Sequence, residues 1–199
     1  MFSFKRSNKD SSDEQLVSLM IAGDQYAFNL LYQRYSKRLL YYFYRMLGNS
    51  NEKAQDFLQE LFVKVIDKAD LFNQSRKFST WVFSIAHNMC KNEYRRLEMR
   101  KEAELDVVTE FLFEDGEPDF DTQNIDIEDF TRDLFCELEN FEEIHKTVFL
   151  LHYREGFSLK DIGQILDISE GTVKSRLFYT RKRLAGRLVK YENALNHFN

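Results

Sequence analysis

The chain has 199 residues, of which 43% are hydrophobic and 31% are charged, and its formal net charge at pH 7 is −5. This length suits one domain or two small ones, and a single proline with seven glycines favours long helices over a strand-and-turn fold. No apolar run approaches the roughly 20 residues of a membrane span, and the first residues lack the apolar core of a signal peptide. Composition therefore predicts an all-α protein without direct membrane insertion.

Residues with catalytic or metal-binding chemistry are scattered along the chain. Cys90 and Cys136 lack the spacing of a zinc site or a disulfide framework, which indicates idle thiols in a reducing cytosol. None of the four histidines pairs with a cysteine or serine in a known motif, and the sequence contains no Gly-rich phosphate loop. We therefore expect a cytoplasmic protein that is not an enzyme, with no cofactor, no metal and no small-molecule substrate.

Charge is distributed unevenly. Residues 105–133 contain eleven acidic residues and one basic residue, whereas the segments on either side are close to neutral. An acidic run that also holds the one proline is typical of a flexible linker. The pattern predicts an N-terminal tail at 1–12, a helical domain at 13–104, an acidic flexible linker at 105–133 and a second helical domain at 134–199.

Four helices are predicted in the first domain. Ser12 and Gln15 have the spacing of a capping box at the start of the first helix, and the second spans about 25–47. A loop over 70–76 follows the third helix, and Ser79 is a candidate N-cap for the fourth. The third helix, at about 51–67, has an apolar stripe predicted to be core: Ala54, Phe57, Leu58, Leu61, Phe62, Val65 and Ile66.

The third helix also has a second face of mixed polarity. Its members recur at i, i+3, i+4 and i+7, and they are Asp56, Gln59, Glu60 and Val63. Such a face can dock a partner helix, although the spacing by itself is more typical of solvated surface.

The segment from 70 to 96 interleaves aromatic, amide and basic side chains. Rings stack on unpaired bases, amides read base edges and cations hold phosphates, so this composition suits a single strand of nucleic acid. The alternative is an aromatic core beneath a basic surface, which we favour for Trp81. The predicted contacts to nucleic acid are Phe72, Phe78, Asn88 and Asn92, and the polar side of the helix adds Lys91, Arg95 and Arg96.

Residues 158–184 predict two helices joined by a tight turn, a helix-turn-helix. Ser158 and Ser169 are candidate caps, and Asp167 tolerates the left-handed conformation that such a turn often needs. Gly163 would leave room for a close crossing of the helices. The inward stripe of the second helix is predicted to be Val173, Leu177 and Leu184.

The outer faces of that second helix are strongly basic. Residues 171–190 contain seven basic residues and no acid, which is a local phosphate-binding footprint in an acidic protein. In a helix-turn-helix, residues near the start of the second helix reach base edges in the major groove, and flanking residues hold phosphates. The predicted base readers are Thr172, Lys174, Ser175 and Arg176, and Arg181, Lys182 and Arg183 lie further along. The alternative is a solvated basic face on a core helix.

Four strings, in this order, resemble the bacterial extracytoplasmic-function (ECF) sigma factors. They are AGDQYAFNLLYQRY (22–35), DFLQELF (56–62), FSTWVFSIAHN (78–88) and EGTVKSRL (170–177), and the resemblance covers about residues 13–190. It implies that the first domain binds core RNA polymerase and the minus-ten promoter element. It implies that the second domain binds the minus-thirty-five element of duplex DNA. It also implies an anti-sigma factor as a further partner.

The resemblance assigns roles by position. It matches Asp56, Gln59 and Glu60, which share a face with Val63, to the surface that grips the clamp helices of the polymerase. It matches Asn88 and Asn92 to positions that read an unpaired minus-ten base, and 72–79, with Phe72, Phe78 and Ser79, to the loop that receives the base. Lys91, Arg95 and Arg96 would hold the nearby single-stranded backbone. The matching minus-thirty-five readers are Lys174, Ser175, Phe178 and Tyr179, with Thr172, Arg176, Arg181 and Lys182 around them.

The chain departs from the family pattern at three places. Phe141-Glu142 stands where Leu-Pro is usual, Asp167 where Gly is usual, and Tyr179 where Arg is frequent. Loss of that Arg removes a possible bidentate contact to guanine.

Two other functions fit parts of the sequence. A stand-alone helix-turn-helix regulator would explain residues 158–190 and leave the first domain without a role. A sigma-like decoy for an anti-sigma factor is the other, although decoys of that kind carry a signal-receiving domain for which this chain has no room.

Overall fold

The computed structural model describes residues 9–103 and 125–191, which form helices joined by short turns and contain no β-strand. The first eight residues of the predicted tail, positions 105–124 of the predicted linker and residues 192–199 lie outside this description. The chain divides into two compact units, one centred on the helices before residue 104 and the other on those after residue 124. The predicted all-α class with two helical parts is confirmed.

Four helices build the first unit, and their starts follow from local capping. They are α1 (Asp13–Ile21), α2 (Gln25–Met46), α3 (Asn51–Asp67) and α4 (Phe78–Ala103), with a 3-10 turn at Ala69–Leu71. The capping box of Ser12 and Gln15 is present, and the side chains of Asp24 and Ser50 accept amide hydrogen bonds at the starts of α2 and α3. Helix α2 packs against α1, α3 and α4 and is the centre of this unit.

Two predictions for the first unit are wrong. Ile66 is 53% exposed, because it lies about 100° around α3 from the buried Val65 and therefore falls outside the apolar stripe. Ser79 does not cap α4, because the helix begins one residue before it at Phe78. The amide N–H of Phe78 instead donates to Oε1 of Glu14 on α1 at 3.0 Å. A residue 64 positions away thus completes the start of α4.

The second unit begins earlier than the charge pattern suggested. It consists of α5 (Ile125–Glu139), α6 (Glu143–Phe149) continued by a π-helical stretch (Leu150–Arg154), α7 (Leu159–Leu166), α8 (Glu170–Arg187) and a 3-10 turn (Val189–Tyr191). Helix α5 starts inside the segment predicted to be a flexible linker. Its Phe130 ring packs against Tyr191, whose hydroxyl donates to Asp133 at 2.7 Å. Helix α5 also has an apolar stripe at helical spacing that contacts the core, and the charge pattern alone gave no indication of it.

Four residues shape the helix-turn-helix of α7 and α8. Ser158 and Ser169 cap the two helices as predicted, and Asp167 has the left-handed conformation, with φ of 54°. Gly163 serves this turn rather than a helix crossing, because a Cβ there would lie 2.8 Å from the carbonyl oxygen of Ile168. The amide of Ile168 donates to the carbonyl of Gly163 at 3.0 Å, so the backbone passes where a side chain would stand.

Candidate nucleic-acid and polymerase interfaces

Helix α8 separates an inward stripe from an outward one. Val173, Leu177, Thr180 and Leu184 are buried, as predicted for three of them. At about 100° per residue, Ser175, Phe178 and Lys182 lie on the opposite side of the helix. Most of the predicted readers are exposed, namely Lys174, Ser175, Phe178, Tyr179, Arg181 and Lys182. Thr172 and Arg176 are half-buried, and the hydroxyl of Thr172 lies 2.8 Å from that of the cap Ser169.

Fewer basic side chains of α8 are available to bind phosphate than the count of basic residues in 171–190 indicated. The guanidinium of Arg183 lies over the ring of Phe141, 4.5 Å from its centroid. Arg187 forms an ion pair with Glu137 on α5 at 2.5 Å. These two cations therefore hold α8 against its own unit. Of the other exposed cations, Lys182 lies on the outward side of α8, and Lys174 and Arg181 lie on its flank.

A buried polar contact holds α8 against α6. The hydroxyl of Thr180 donates to the carbonyl of Arg176 at 2.8 Å, which leaves its oxygen to accept from Nδ1 of His145 at 2.9 Å. His145 thus contacts the centre of α8 on the same side as its buried stripe. Contacts on the inner side of α8 therefore determine which of its residues face outward.

Two aromatic residues predicted to contact nucleic acid are part of the first unit's core. Phe78 is fully buried and Phe72 nearly so, with ring centroids 6.0 Å apart. The Phe78 ring also packs against Tyr35 at 5.1 Å, and Trp81 closes the cluster at 5.2 Å from Phe72. A buried ring has no free face on which a base can stack, so both assignments are corrected to core packing. Ser79, in the first turn of α4, is half-buried.

The polar side of α4 is an exposed row. Asn88, Lys91, Asn92 and Arg95 recur at i, i+3, i+4 and i+7, and all four are exposed. They lie together on one face, as the spacing predicts.

Arg96, the last member predicted for this side of α4, differs from the rest of the row. Its guanidinium donates to both oxygens of Glu93, at 2.7 and 2.6 Å. Those hydrogen bonds lower the pKa of Glu93 and raise the pKa of Arg96. Arg96 is therefore committed to a partner within its own helix.

The loop before α4 exposes polar residues that the sequence did not single out. Asn73, Gln74, Ser75, Arg76 and Lys77 are all exposed, while the aromatic rings on either side of them are buried. Oδ1 of Asn73 accepts from the amide and hydroxyl of Ser75 at 2.9 and 2.8 Å, which shapes the turn, and Gln74 donates to Ser18 on α1. The signal was the polar run between Phe72 and Phe78, which belongs to the predicted receiving loop 72–79 although its polar residues were not named individually.

The mixed face of α3 is exposed along its length. Asp56, Gln59, Glu60 and Val63 are all exposed, and Val63 is 57% exposed directly opposite the buried stripe. Glu60 forms an i, i+4 ion pair with Lys64 at 2.9 Å. Ile66 extends the face by one turn. It adjoins an open depression of about 480 Å³, and the other lining residues are Met20, Gly23, Asp24, Gln25, Phe28 and Asn29.

Comparisons with known proteins identify the family. The sigma-70 region 2 family matches residues 31–100, and the sigma-70 region 4 family matches residues 136–184. The ECF RNA polymerase sigma-E factor of Haemophilus influenzae is 32% identical over 193 residues, covering 89% of this chain and 95% of that protein. The chain belongs to the ECF sigma factors. The sigma factor SigW of Bacillus subtilis is 30% identical over 174 residues, covering 83% and 91% of the two chains.

Solved structures share the sigma factor's fold. The sigma factor RpoE of Bartonella quintana, in complex with the anti-sigma factor NepR, has a TM-score of 0.68 at 21% identity and covers 81% of this chain and 96% of its own. CnrH, in complex with the cytosolic domain of CnrY, has a TM-score of 0.66 at 23% identity and covers 90% and 99%.

Family membership decides the general function. The protein is an RNA polymerase sigma factor that binds core polymerase and promoter DNA and directs the initiation of transcription. The region 2 match gives the first unit a role, which the stand-alone regulator did not provide. Within the two described ranges no helix has the length and apolarity to cross a membrane, and no group of three metal-ligating side chains is found.

Proposed function

We propose that three exposed surfaces divide the work of promoter recognition. The α3 face of Asp56, Gln59, Glu60, Val63 and Ile66 binds the clamp helices of core polymerase. The α4 row of Asn88, Lys91, Asn92 and Arg95 holds the unpaired minus-ten strand. The outward stripe of α8 reads the minus-thirty-five element in duplex DNA.

The α4 row carries this proposal. An exposed line of alternating amides and cations has the chemistry of a single-strand contact, because amides read base edges and cations hold phosphates. Capture of one unpaired base offsets part of the unstacking free energy, which is a few kcal/mol per step. The receiving loop is 72–79, where the exposed Asn73, Ser75 and Arg76 supply the contacts.

The α3 face suits a helical partner. Gln59, Val63 and Ile66 recur at i, i+4 and i+7, so the apolar Val63 and Ile66 lie in line with one amide, beside the acidic Asp56 and Glu60. Partner helices are bound through such anchors, with charge at the rim fixing the register. The depression beside Ile66 would receive an apolar side chain at the end of this contact.

The sigma factor acts by binding and carries no catalytic activity of its own. It acts in the cytoplasm, where polymerase and promoters are found. An anti-sigma factor is a further partner, since related folds include RpoE of Bartonella quintana in complex with NepR. Such a protein would inhibit by covering the same surfaces.

Run-off transcription on sheared genomic DNA, with the cognate core polymerase, tests the whole proposal. Adding the protein should yield new transcripts that share upstream minus-thirty-five and minus-ten elements. Retained binding of duplex DNA without new transcripts would contradict the roles given to α3 and α4.

The α3 face is tested by the double variant Asp56→Ala with Gln59→Ala. Both side chains are exposed, so the fold should be unchanged while affinity for core polymerase falls about tenfold or more. The matched control is Gln33→Ala with Glu98→Ala, which removes one amide and one carboxylate from exposed positions of α2 and α4. Equal polymerase affinity of the two double variants would overturn the assignment.

A further inference from the structure

The outward stripe of α8 carries a pair of exposed aromatic rings. Phe178 is 61% exposed and Tyr179 is 63% exposed, and their centroids lie 5.6 Å apart with the planes at 75°. Leu177 and Thr180, on either side of the pair in sequence, are buried. The pair is therefore not part of the core. Large adjacent aromatic side chains left in water are typical of a binding surface.

Phe178 and Tyr179 are the first large side chains along the outward side of α8, so a partner that approaches this side would contact them. Gly171, Ser175 and Phe178 follow one another along the side of the helix opposite the buried stripe. The first two are small, and a Cβ at Gly171 would come near only the hydroxyl of Ser169, at 3.8 Å. The first half of the helix is thus slim on its outward side. The aromatic pair is the first bulky feature that a groove floor would contact.

Charge around the pair indicates that its partner is DNA. Lys174, Arg181 and Lys182 are exposed within one turn of the pair, and residues 171–190 contain no acidic side chain. Cations that flank a groove-facing stripe meet the phosphates on either side of the groove. A purely apolar protein partner would leave these three cations without compensation.

The chemistry of the rings selects among the bases. Phe178 has no hydrogen-bonding group, so it cannot distinguish guanine, adenine or cytosine by their donors and acceptors. The one apolar group in the major groove is the C5 methyl of thymine, and Phe is among the residues that contact it. The body of the Tyr179 ring is equally apolar, and its hydroxyl adds a single donor or acceptor at the tip.

We infer that Phe178 and Tyr179 recognise thymine methyl groups, so that the minus-thirty-five element of this sigma factor has thymine opposite the pair. This inference rests on the proposed role of α8 and specifies the bases it reads.

Deoxyuridine substitution tests the inference, because it removes only the methyl group. A minus-thirty-five element is first selected from randomised duplex DNA with the reconstituted holoenzyme, and each thymine is then replaced singly by deoxyuridine. Holoenzyme affinity should fall about fourfold at one or two adjacent positions, the effect expected for loss of one buried methyl. In Phe178→Ala the thymine and deoxyuridine duplexes should bind equally at the affected position.

Lys182→Ala is the matched control, since it removes a cation from the same stripe. It should weaken binding of both duplexes equally and keep their ratio near four. Phe178→Leu, which keeps an apolar side chain, should retain part of the ratio. Phe178 and Tyr179 are exposed, so thermal unfolding of these variants should match the wild type.

Two results would overturn the inference and are distinguishable from failure of the proposed function. Holoenzyme that selects an element but binds every deoxyuridine duplex as well as the parent shows that α8 reads bases without using methyl groups. A methyl preference that persists in Phe178→Ala and Tyr179→Ala assigns it to other residues, and leaves the pair for a protein partner. Holoenzyme that selects no minus-thirty-five sequence would remove the role of α8 itself.

Discussion

The aromatic pairs of the two units have similar chemistry and opposite environments. Phe72 and Phe78 lie in a buried cluster with Tyr35 and Trp81, whereas Phe178 and Tyr179 project from α8 into solvent. Both pairs occur beside basic residues in the sequence. The difference shows that a basic neighbourhood does not decide whether a ring is available to a base. Packing decides it, because Tyr35 of α2 covers Phe78, whereas Phe178 and Tyr179 stay exposed among the helices of the second unit that the structure describes.

The largest expected effect tests this contrast directly. Phe78→Ala should lower the free energy of unfolding of the first unit by about 3–5 kcal/mol, because it leaves a cavity in a packed core. Phe178→Ala should change stability by no more than about 0.5 kcal/mol. Urea unfolding of the full chain followed by fluorescence of Trp81, the one tryptophan, reports on the first unit and measures Phe78→Ala. Far-UV circular dichroism during the same unfolding follows the helices of the second unit as well and measures Phe178→Ala.

Phe78→Leu serves as the control, since it keeps most of the apolar volume and should cost less than the alanine variant. If Phe78→Ala had wild-type stability but failed to open promoters, Phe78 would be a base-stacking residue and not a core residue.

The second largest effect is the pH dependence of stability, which tests whether His87 of α4 is buried although the next residue is exposed. His87 adjoins the exposed Asn88, yet burial and the nearby charge of Lys91 lower its pKa to about 4. The folded state therefore favours the neutral ring. Its contribution to stability is complete above the unfolded pKa near 6.5 and is lost as pH falls towards 4. The loss is on the order of 3 kcal/mol.

The measurement is urea unfolding by Trp81 fluorescence at pH 7 and at pH 4.5 for the wild type and His87→Leu. The variant should lose less stability between the two pH values, because its side chain cannot take up a proton. Identical losses in both proteins would show that the carboxylates alone account for the acid effect.

The sequence correctly predicted those features of the fold that depend only on residues close together in the chain. The capping box at Ser12, the bounds of α3 and the left-handed Asp167 all follow from residues within one turn of each other. The start of α4 did not, because its first amide is bonded to Glu14, 64 positions away. Burial of Phe72 and Phe78 was missed for the same reason.

The extent of α5 shows a different limit of the sequence. Four of the eleven acidic residues of 105–133 lie in α5, and the acidic composition of the segment predicts a linker over its whole length. Phe130 and Leu134 pack against the cluster that contains Leu184 and Leu188, residues 50 or more positions later. Because α5 depends on such distant partners, its only local signal is the helical spacing of its apolar residues. The net charge of the segment outweighed that signal in the prediction.

The smallest expected effect concerns the turn that sets the angle of α8, and it asks how far the second unit depends on local conformation. Asp167 has φ of 54°, a left-handed conformation that glycine adopts without a steric cost. Asp167→Gly removes the steric cost of the left-handed region, but it also raises the entropy of the unfolded chain, and the two effects are each roughly 0.5–1 kcal/mol. Stability should therefore change by less than about 0.5 kcal/mol.

Asp167→Ala brackets this result, because alanine has the steric cost without the polar side chain that lets Asp tolerate the left-handed region. It should destabilise the second unit by about 1 kcal/mol, measured by far-UV circular dichroism during urea unfolding. The Trp81 signal of the first unit should stay unchanged. An Asp167→Ala variant as stable as the wild type would mean that the turn relaxes to a different conformation. In that case the angle of α8 would depend on the contact of His145 with Thr180 rather than on the turn.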